Sequence, residues 1–71
     1  MPTLETSIIL NGQERSFPDS LTVSGLLAEL GFTDVPVLVE LNGRALFPRD
    51  FPATSLGDGD RVELIRIVAG G

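Results

Sequence analysis

The sequence predicts an α+β fold, a mixed four- to five-stranded sheet with one helix packed on one face. Three observations predict it. Two Asn-Gly pairs follow stretches typical of strands, one short segment repeats its apolar residues with helical spacing, and the last apolar stretch contains no proline. A helix that lies between a hairpin and further strands has to cover their sheet, because its apolar stripe must be buried.

The first predicted element is a hairpin that turns at Asn11-Gly12. From Leu4 to Leu10, an apolar residue or a threonine stands at every second position, which is the period of a strand with one buried face. Asn-Gly is the strongest two-residue hairpin signal, since a type I′ turn needs positive φ at both positions. Residues 13–17 then form the return strand, and Pro18-Asp19 ends it.

One short helix is predicted after the hairpin. Thr22 can cap its first turn, and Gly31 stands where a glycine commonly ends a helix. Between them the apolar residues have the spacing i, i+3, i+4 and i+7, which places them on one face: Val23, Leu26, Leu27 and Leu30. A helix of about nine residues is not stable alone, so packing on the sheet must hold it.

The second half of the chain contributes the remaining strands. Residues 37–41 form a strand that turns at Asn42-Gly43, and residues 44–47 form a short return strand. The prolines make residues 44–56 otherwise irregular, residues 57–60 form a tight turn, and residues 61–67 form the last strand. This order is that of the β-grasp (ubiquitin-like) fold, whose first and last strands run parallel in mid-sheet. We therefore predict one β-grasp domain over residues 1–67 and a flexible tail over residues 68–71.

Composition excludes most catalytic chemistry. The chain has no Cys or His, and all five basic residues are Arg. Disulfides, thiolate metal sites, cysteine nucleophiles, histidine bases and Schiff-base lysines are therefore excluded. The net charge of −5 argues against nucleic-acid binding, and it fits either a basic partner or solubility alone. Neither a signal peptide nor an apolar run long enough to span a membrane is visible, so we expect a cytoplasmic protein. The missing residue types lead us to expect that it is not an enzyme.

The internal clusters of polar or aromatic residues have simpler interpretations than a site. The acidic residues within 58–63 fit a tight turn better than a metal site, since a calcium loop needs more ligands. The phenylalanines at 32, 47 and 51 fit the core better than a ligand pocket. Arg44 and Arg49 are either an anion site or ordinary solvated surface.

The tail is the remaining candidate for chemistry. Gly71 presents an unhindered carboxylate, and Val68, Ala69 and Gly70 tether it to the last strand; the alternative is a frayed end. If a partner adenylates this carboxylate with ATP, a sulfur nucleophile can convert the mixed anhydride to a thiocarboxylate. The protein would then act as a group carrier and bind no cofactor or metal itself.

A docking patch is predicted beside the tail. Alternation along the last strand places Ile65 and Ile67 on the face of Glu63, away from the helix. They form either an exposed apolar patch for a partner, or part of a buried central strand, or the result of a bulge that shifts the register.

The chain resembles the small ubiquitin-like sulfur-carrier proteins of the ThiS/MoaD type, nearest to ThiS of thiamine biosynthesis. The resemblance spans nearly the whole chain, and its matching pieces are Leu10-Asn11-Gly12, Leu21-Thr22-Val23, Leu26-Leu27, Val39-Glu40-Leu41-Asn42-Gly43, Pro48-Arg49, residues 56–63 and Val68-Ala69-Gly70-Gly71. It implies adenylation of Gly71 by an E1-like, ThiF-type enzyme, sulfur from a cysteine desulfurase or a rhodanese-type persulfide, and transfer to thiazole synthase.

The resemblance leaves the pathway open at two points. Phe51 stands where the family often has Trp, and Phe47-Pro48-Arg49 is a variant loop, so Phe51 and Arg49 are candidate partner contacts. Carriers for molybdopterin or sulfur amino acid synthesis share the fold and the terminus. A ubiquitin-like modifier of target lysines and a non-covalent binding module are the remaining alternatives.

Overall fold

The computed structural model describes residues 5–18 and 20–68. In chain order the strands are β1 (Glu5–Leu10), β2 (Gln13–Pro18), β3 (Leu21–Thr22), β4 (Val37–Leu41), β5 (Arg44–Leu46), β6 (Ser55–Leu56) and β7 (Arg61–Arg66), with helix α1 (Val23–Glu29) after β3 and a 3₁₀ helix (Pro48–Ala53) after β5.

Five of the strands form a mixed sheet in the order β2-β1-β7-β4-β5. β1 and β7 are parallel neighbours in its middle, and the other pairs are antiparallel. β3 and β6 form a separate antiparallel pair in which Leu21 lies opposite Leu56. The predicted β-grasp fold and its parallel central pair are confirmed.

Both predicted hairpin turns have the backbone that Asn-Gly favours. In the first turn φ is 48° at Asn11 and 83° at Gly12, and in the second it is 51° at Asn42 and 82° at Gly43. Positive φ at both positions matches the right-handed twist of the flanking strands. The β1–β2 register therefore needs no bulge: Leu10 lies opposite Gln13 across the turn.

Helix α1 begins as predicted but is shorter, with seven residues. The Thr22 hydroxyl oxygen accepts a hydrogen bond of 3.1 Å from the Gly25 amide. Gly25, a poor helix former with no evident role in the sequence, lies against Leu21, because a Cβ there would stand 3.0 Å from Leu21 Cδ2. The glycine lets the β3 side chain pack against the first helical turn.

A capping motif at Gly31 ends α1. Gly31 adopts φ 79°, its amide donates to the Ala28 carbonyl (3.1 Å), and the Phe32 amide donates to the Leu27 carbonyl (2.8 Å). This pair of bonds is the Schellman motif, which satisfies the last carbonyls of a helix. The predicted end at Gly31 is confirmed.

The core lies between α1, the 3₁₀ helix and one face of the sheet. Its buried apolar residues are Ile8, Leu10, Phe17, Val23, Leu26, Leu27, Val39, Phe51, Leu56 and Val62. Every second residue of β1 belongs to the buried face, as predicted. Since a domain of this size buries only about 60% of its unfolded surface, each of these side chains contributes a large share of the stability.

Residues 44–56 are more regular than predicted. Pro48 occupies the first turn of the 3₁₀ helix, where its missing amide costs nothing. The Asp50 carboxylate accepts a hydrogen bond of 3.1 Å from the Phe47 amide and closes that turn. Phe47 itself is 61% exposed, so the prediction that it belongs to the core is wrong. Phe47 is the extended residue before the 3₁₀ helix, and the centroid of its ring lies 5.0 Å from the Arg49 guanidinium carbon on the surface.

Candidate functional site

The last strand carries an exposed apolar pair on the face away from the helix. β7 pairs with β4 in an unbroken register in which Leu38 lies opposite Ile65. Val39 and Val62 alternate with this pair and are fully buried, so Leu38 and Ile65 occupy the outer face. Ile65 is 50% exposed and Leu38 is 43% exposed. The interpretations that invoked a bulge or full burial are wrong for Ile65, and we call Leu38 and Ile65 the outer patch.

Ile67 lies at a different place. It follows the end of β7, and its amide donates a hydrogen bond of 3.0 Å to the Pro36 carbonyl. It lines an open groove of about 470 Å³ on the helix side, together with Leu27, Phe32, Thr33, Asp34, Val35, Pro36, Val37, Pro48 and Phe51. Ile65 is not among the described residues of this lining. The two isoleucines, predicted to share a face, therefore flank the start of the tail in separate environments.

The two loop residues predicted to contact partners also differ in exposure. Phe51 is buried in the core and also lines the groove. Arg49 is exposed, and its guanidinium carbon lies 5.0 Å from the centroid of the Phe47 ring. This cation–π geometry holds an Arg and an exposed aromatic together on the surface. Partner contacts by Arg49 and Phe51 stay predictions.

Sequence reasoning missed Phe47 and Leu38 as surface residues. Leu38 belongs to an apolar stretch that reads the same whether one or both faces are buried. Only the pairing with β7 shows that its side chain is on the open face. For Phe47 the following proline gives no signal of exposure, since Phe51 also precedes a proline and is buried.

The tail begins at Val68, which is 81% exposed and is the last residue the structure describes. Ala69, Gly70 and Gly71 lie outside the described residues. The assignment of Gly71 as the adenylation and thiocarboxylate site, and of residues 68–70 as its tether, therefore stays a prediction.

The acidic residues near 58–60 have structural roles. Asp60 accepts a hydrogen bond of 2.7 Å from the Gly57 amide, and Asp58 accepts one of 2.8 Å from the Ser7 amide. The turn interpretation is confirmed, because Asp60 binds an amide within the turn and Asp58 joins the turn to β1. Over residues 5–18 and 20–68 no group of three or more potential ligands is close enough to hold a metal.

No helix in the described part of the chain is both long and apolar enough to cross a membrane.

The fold and the exposed end of its central strand define a ubiquitin-like β-grasp protein. Within that class, a family model described as the ThiS family matches residues 8–71. The chain belongs to the ThiS family.

Solved structures agree with this assignment. The crystal structure of a thiamine biosynthesis protein (ThiS) from Geobacter metallireducens has a TM-score of 0.79 and 36% identity, and the match covers 93% of this chain and 100% of that one. An NMR solution structure of a thiamine biosynthesis protein from the same organism has a TM-score of 0.78 and 36% identity, covering 93% and 88%.

Curated relatives match over a similar length. A thiazole synthase from Paramagnetospirillum magneticum is 36% identical over 64 residues, which are 90% of this chain but 20% of the relative. The chain thus spans a fifth of that protein's length. An uncharacterized protein, ycf40, from Porphyra purpurea is 37% identical over 65 residues, with 92% of both chains covered.

Proposed function

We propose that this protein is a sulfur carrier for the thiazole ring of thiamine, with the Gly71 carboxylate as the group that is loaded. The observation that carries the proposal is the extent of the family match, which runs through Gly70-Gly71. The exposure of Val68, at the start of the tail, supports it, since a carried group must reach the active sites of other proteins. The protein is a co-substrate in this proposal and not an enzyme.

Loading of Gly71 takes place in three steps. A carboxylate oxygen of Gly71 attacks the α-phosphorus of ATP, and pyrophosphate leaves. The terminal sulfur of a persulfide, supplied by a cysteine desulfurase or a rhodanese-type protein, then attacks the carbonyl carbon, and AMP leaves. A second thiol reduces the resulting acyl disulfide, which yields the thiocarboxylate and a new disulfide on the donor side. ATP is used by the activating enzyme and is not a ligand of the carrier alone.

The proposed partners follow from membership of the ThiS family. A ThiF-type adenylyltransferase activates the carboxylate, and thiazole synthase accepts the sulfur. The relative named thiazole synthase supports this acceptor, because one of its segments is 36% identical to this chain. No observation on the described residues favours molybdopterin or sulfur amino acid synthesis, or the modification of target lysines.

Loading can be tested directly by mass spectrometry. With ATP, a ThiF-type enzyme and a persulfide donor, we expect the intact protein to gain the mass of one oxygen replaced by one sulfur. Omission of ATP should prevent the change, since no mixed anhydride forms. A protein that stays at its original mass under complete conditions contradicts the proposal for that enzyme.

The outer patch should contribute to recognition by the activating enzyme. We expect Ile65→Thr to raise the KM for the carrier roughly tenfold, since each buried CH₂ group is worth about 0.8 kcal/mol. Stability should change by no more than about 1 kcal/mol, because the β-branched shape is kept on an exposed cross-strand pair. The measurement is the rate of ATP–pyrophosphate exchange at varied carrier concentration.

The matched control is Ile9→Thr. Ile9 belongs to β1 and lies beside Arg61, at the start of β7, far along the strand from the tail. Ile9→Thr should leave the KM for the carrier unchanged. An equal effect of both substitutions, or no effect of Ile65→Thr, would show that the outer patch does not dock on this enzyme.

A further inference from the structure

The two central strands overlap only at their ends. Their parallel register joins Ile9 with Arg61 and Leu10 with Val62, and β1 then ends at Leu10. β7 continues to Arg66. Among the described residues, the second half of β7 therefore has a strand neighbour on its β4 side alone. That half leads directly into the tail.

The side chain of Asn11 occupies the first open position beside β7. The Leu64 amide donates to Asn11 Oδ1 over 2.8 Å, and Asn11 Nδ2 donates to the Leu64 carbonyl over 3.4 Å. The Asn11 backbone amide also donates to the Val62 carbonyl over 2.9 Å. The side-chain amide thus takes the place of the peptide group that a longer β1 would supply.

We propose that Asn11 is a positioning residue, which holds the end of β7 and thereby the direction in which the tail leaves the domain. The consequence of this role rests on the proposed function: the activating enzyme receives a tail whose starting point is fixed. On the opposite side of β7, the last described bond joins the Ile67 amide to the Pro36 carbonyl. Asn11 and Pro36 together hold the last residues before Val68 from both sides.

The physical basis is conformational entropy. An enzyme that binds the tail in one conformation must order every residue that moves freely beforehand. When Asn11 holds Leu64, the end of β7 is restrained on the side that β4 does not pair. Without it, β4 and the Pro36 carbonyl alone hold the end of β7, and the enzyme has to supply the lost restraint, so the affinity for the carrier falls while the chemical step stays the same.

Asn42 offers a matched control within the same chain. Like Asn11, it is the first residue of an Asn-Gly turn, and its φ is 51°. Its Oδ1 accepts a hydrogen bond of 2.8 Å from the Arg61 amide, and its Nδ2 donates to Asp60 over 3.1 Å. It therefore makes the same kind of bond to the same strand, but at the end far from the tail.

Amide hydrogen exchange tests the contact itself. Asn11→Gly keeps the turn, because glycine accepts positive φ, but removes both side-chain bonds. We expect protection to fall roughly tenfold at Leu64, the effect of about one hydrogen bond, and to fall at Ile67 as well. Asn42→Gly should reduce protection at Arg61 and leave Leu64 and Ile67 unchanged, apart from any global loss shared by both variants. Unchanged protection at Leu64 and Ile67 in Asn11→Gly would overturn the proposal.

Kinetics of adenylation test the consequence. In Asn11→Gly we expect the KM for the carrier to rise roughly tenfold, the factor for ordering one residue's backbone, with kcat unchanged. Asn42→Gly should keep the wild-type KM. Asn11→Asp should restore most of the wild-type KM, because its carboxylate still accepts from the Leu64 amide and Asp tolerates this backbone.

The outcomes separate the two proposals. An unchanged KM in Asn11→Gly despite lost protection at Leu64 would overturn the positioning role. An equal rise in Asn42→Gly would overturn it too, since the effect would then be one of general stability. If the wild-type protein is not adenylated at all, the proposed function is wrong, while the exchange measurement still decides whether Asn11 holds the end of β7.

Discussion

Deletion of Gly71 is expected to lower thiocarboxylate formation by on the order of 100-fold or more. The shortened chain still ends in a glycine carboxylate, but that carboxylate lies about 3.3–3.6 Å short of its former reach in an extended tail. A misplacement of about 1 Å is enough to cost on the order of 100-fold when a reaction depends on positioning. The measurement is the initial rate of the mass change with ATP, a ThiF-type enzyme and a persulfide donor.

Two controls make this result specific. Gly71→Ala keeps the length of the tail and its carboxylate, so it should lose less activity than the deletion does. The free energy of unfolding should be equal for the deletion and the wild type, since the core ends at Val62 and the tail begins beyond β7. Normal charging of the shortened chain would contradict the assignment of Gly71, because the carboxylate of Gly70 would then serve equally well.

Leu26→Ala is expected to have the largest effect on stability. Leu26 is fully buried in the middle of α1 and packs in the single described core. Removal of a buried leucine side chain costs about 2–5 kcal/mol, because the lost burial is joined by the cost of a cavity. A domain of this size has a total stability of about 4–10 kcal/mol. The substitution should therefore remove about half of the free energy of unfolding, measured by urea denaturation.

The matched control is Leu38→Ala in the outer patch. Leu38 is 43% exposed, so the same change in side chain should cost about 1 kcal/mol or less. In both variants the slope of the unfolding free energy with urea should stay constant, which shows that the midpoint shift reports stability. Equal midpoint shifts for the two substitutions would contradict the assignment of the core to one face of the sheet.

Sequence reasoning was most successful where the physics is local. Asn-Gly specifies a type I′ turn through the φ values of two residues, and both turns are as predicted. The same holds for Thr22 and Gly31, which satisfy backbone groups within the first and last turns of α1. These interactions need only a few neighbouring residues, so the sequence determines them before any tertiary contact forms.

Sequence reasoning failed where one residue type serves two local structures. Proline disrupts a strand but also starts a helical turn, and Pro48 does the latter. The sequence pattern therefore does not predict the 3₁₀ helix, and it places Phe47 in the core instead of on the surface. The capping Asp50 was the sequence signal that distinguishes the two structures.

Composition limits the chemistry that this protein can offer. The absence of Cys, His and Lys excludes thiolate, imidazole and side-chain amine chemistry. The sequence also determined the β-grasp order of elements, because apolar periodicity and turn residues follow from short-range rules.

The surroundings of the start of the tail depend on long-range contacts. Ile65 is exposed because no element within residues 5–18 and 20–68 covers the outer face. Ile67 instead lines the groove that the end of α1, the segment after it and the 3₁₀ helix create. The bonds from Asn11 to Leu64 join residues more than 50 positions apart in the chain. Contacts of this range depend on how the strands align, and alternation along one strand contains no information about its neighbours.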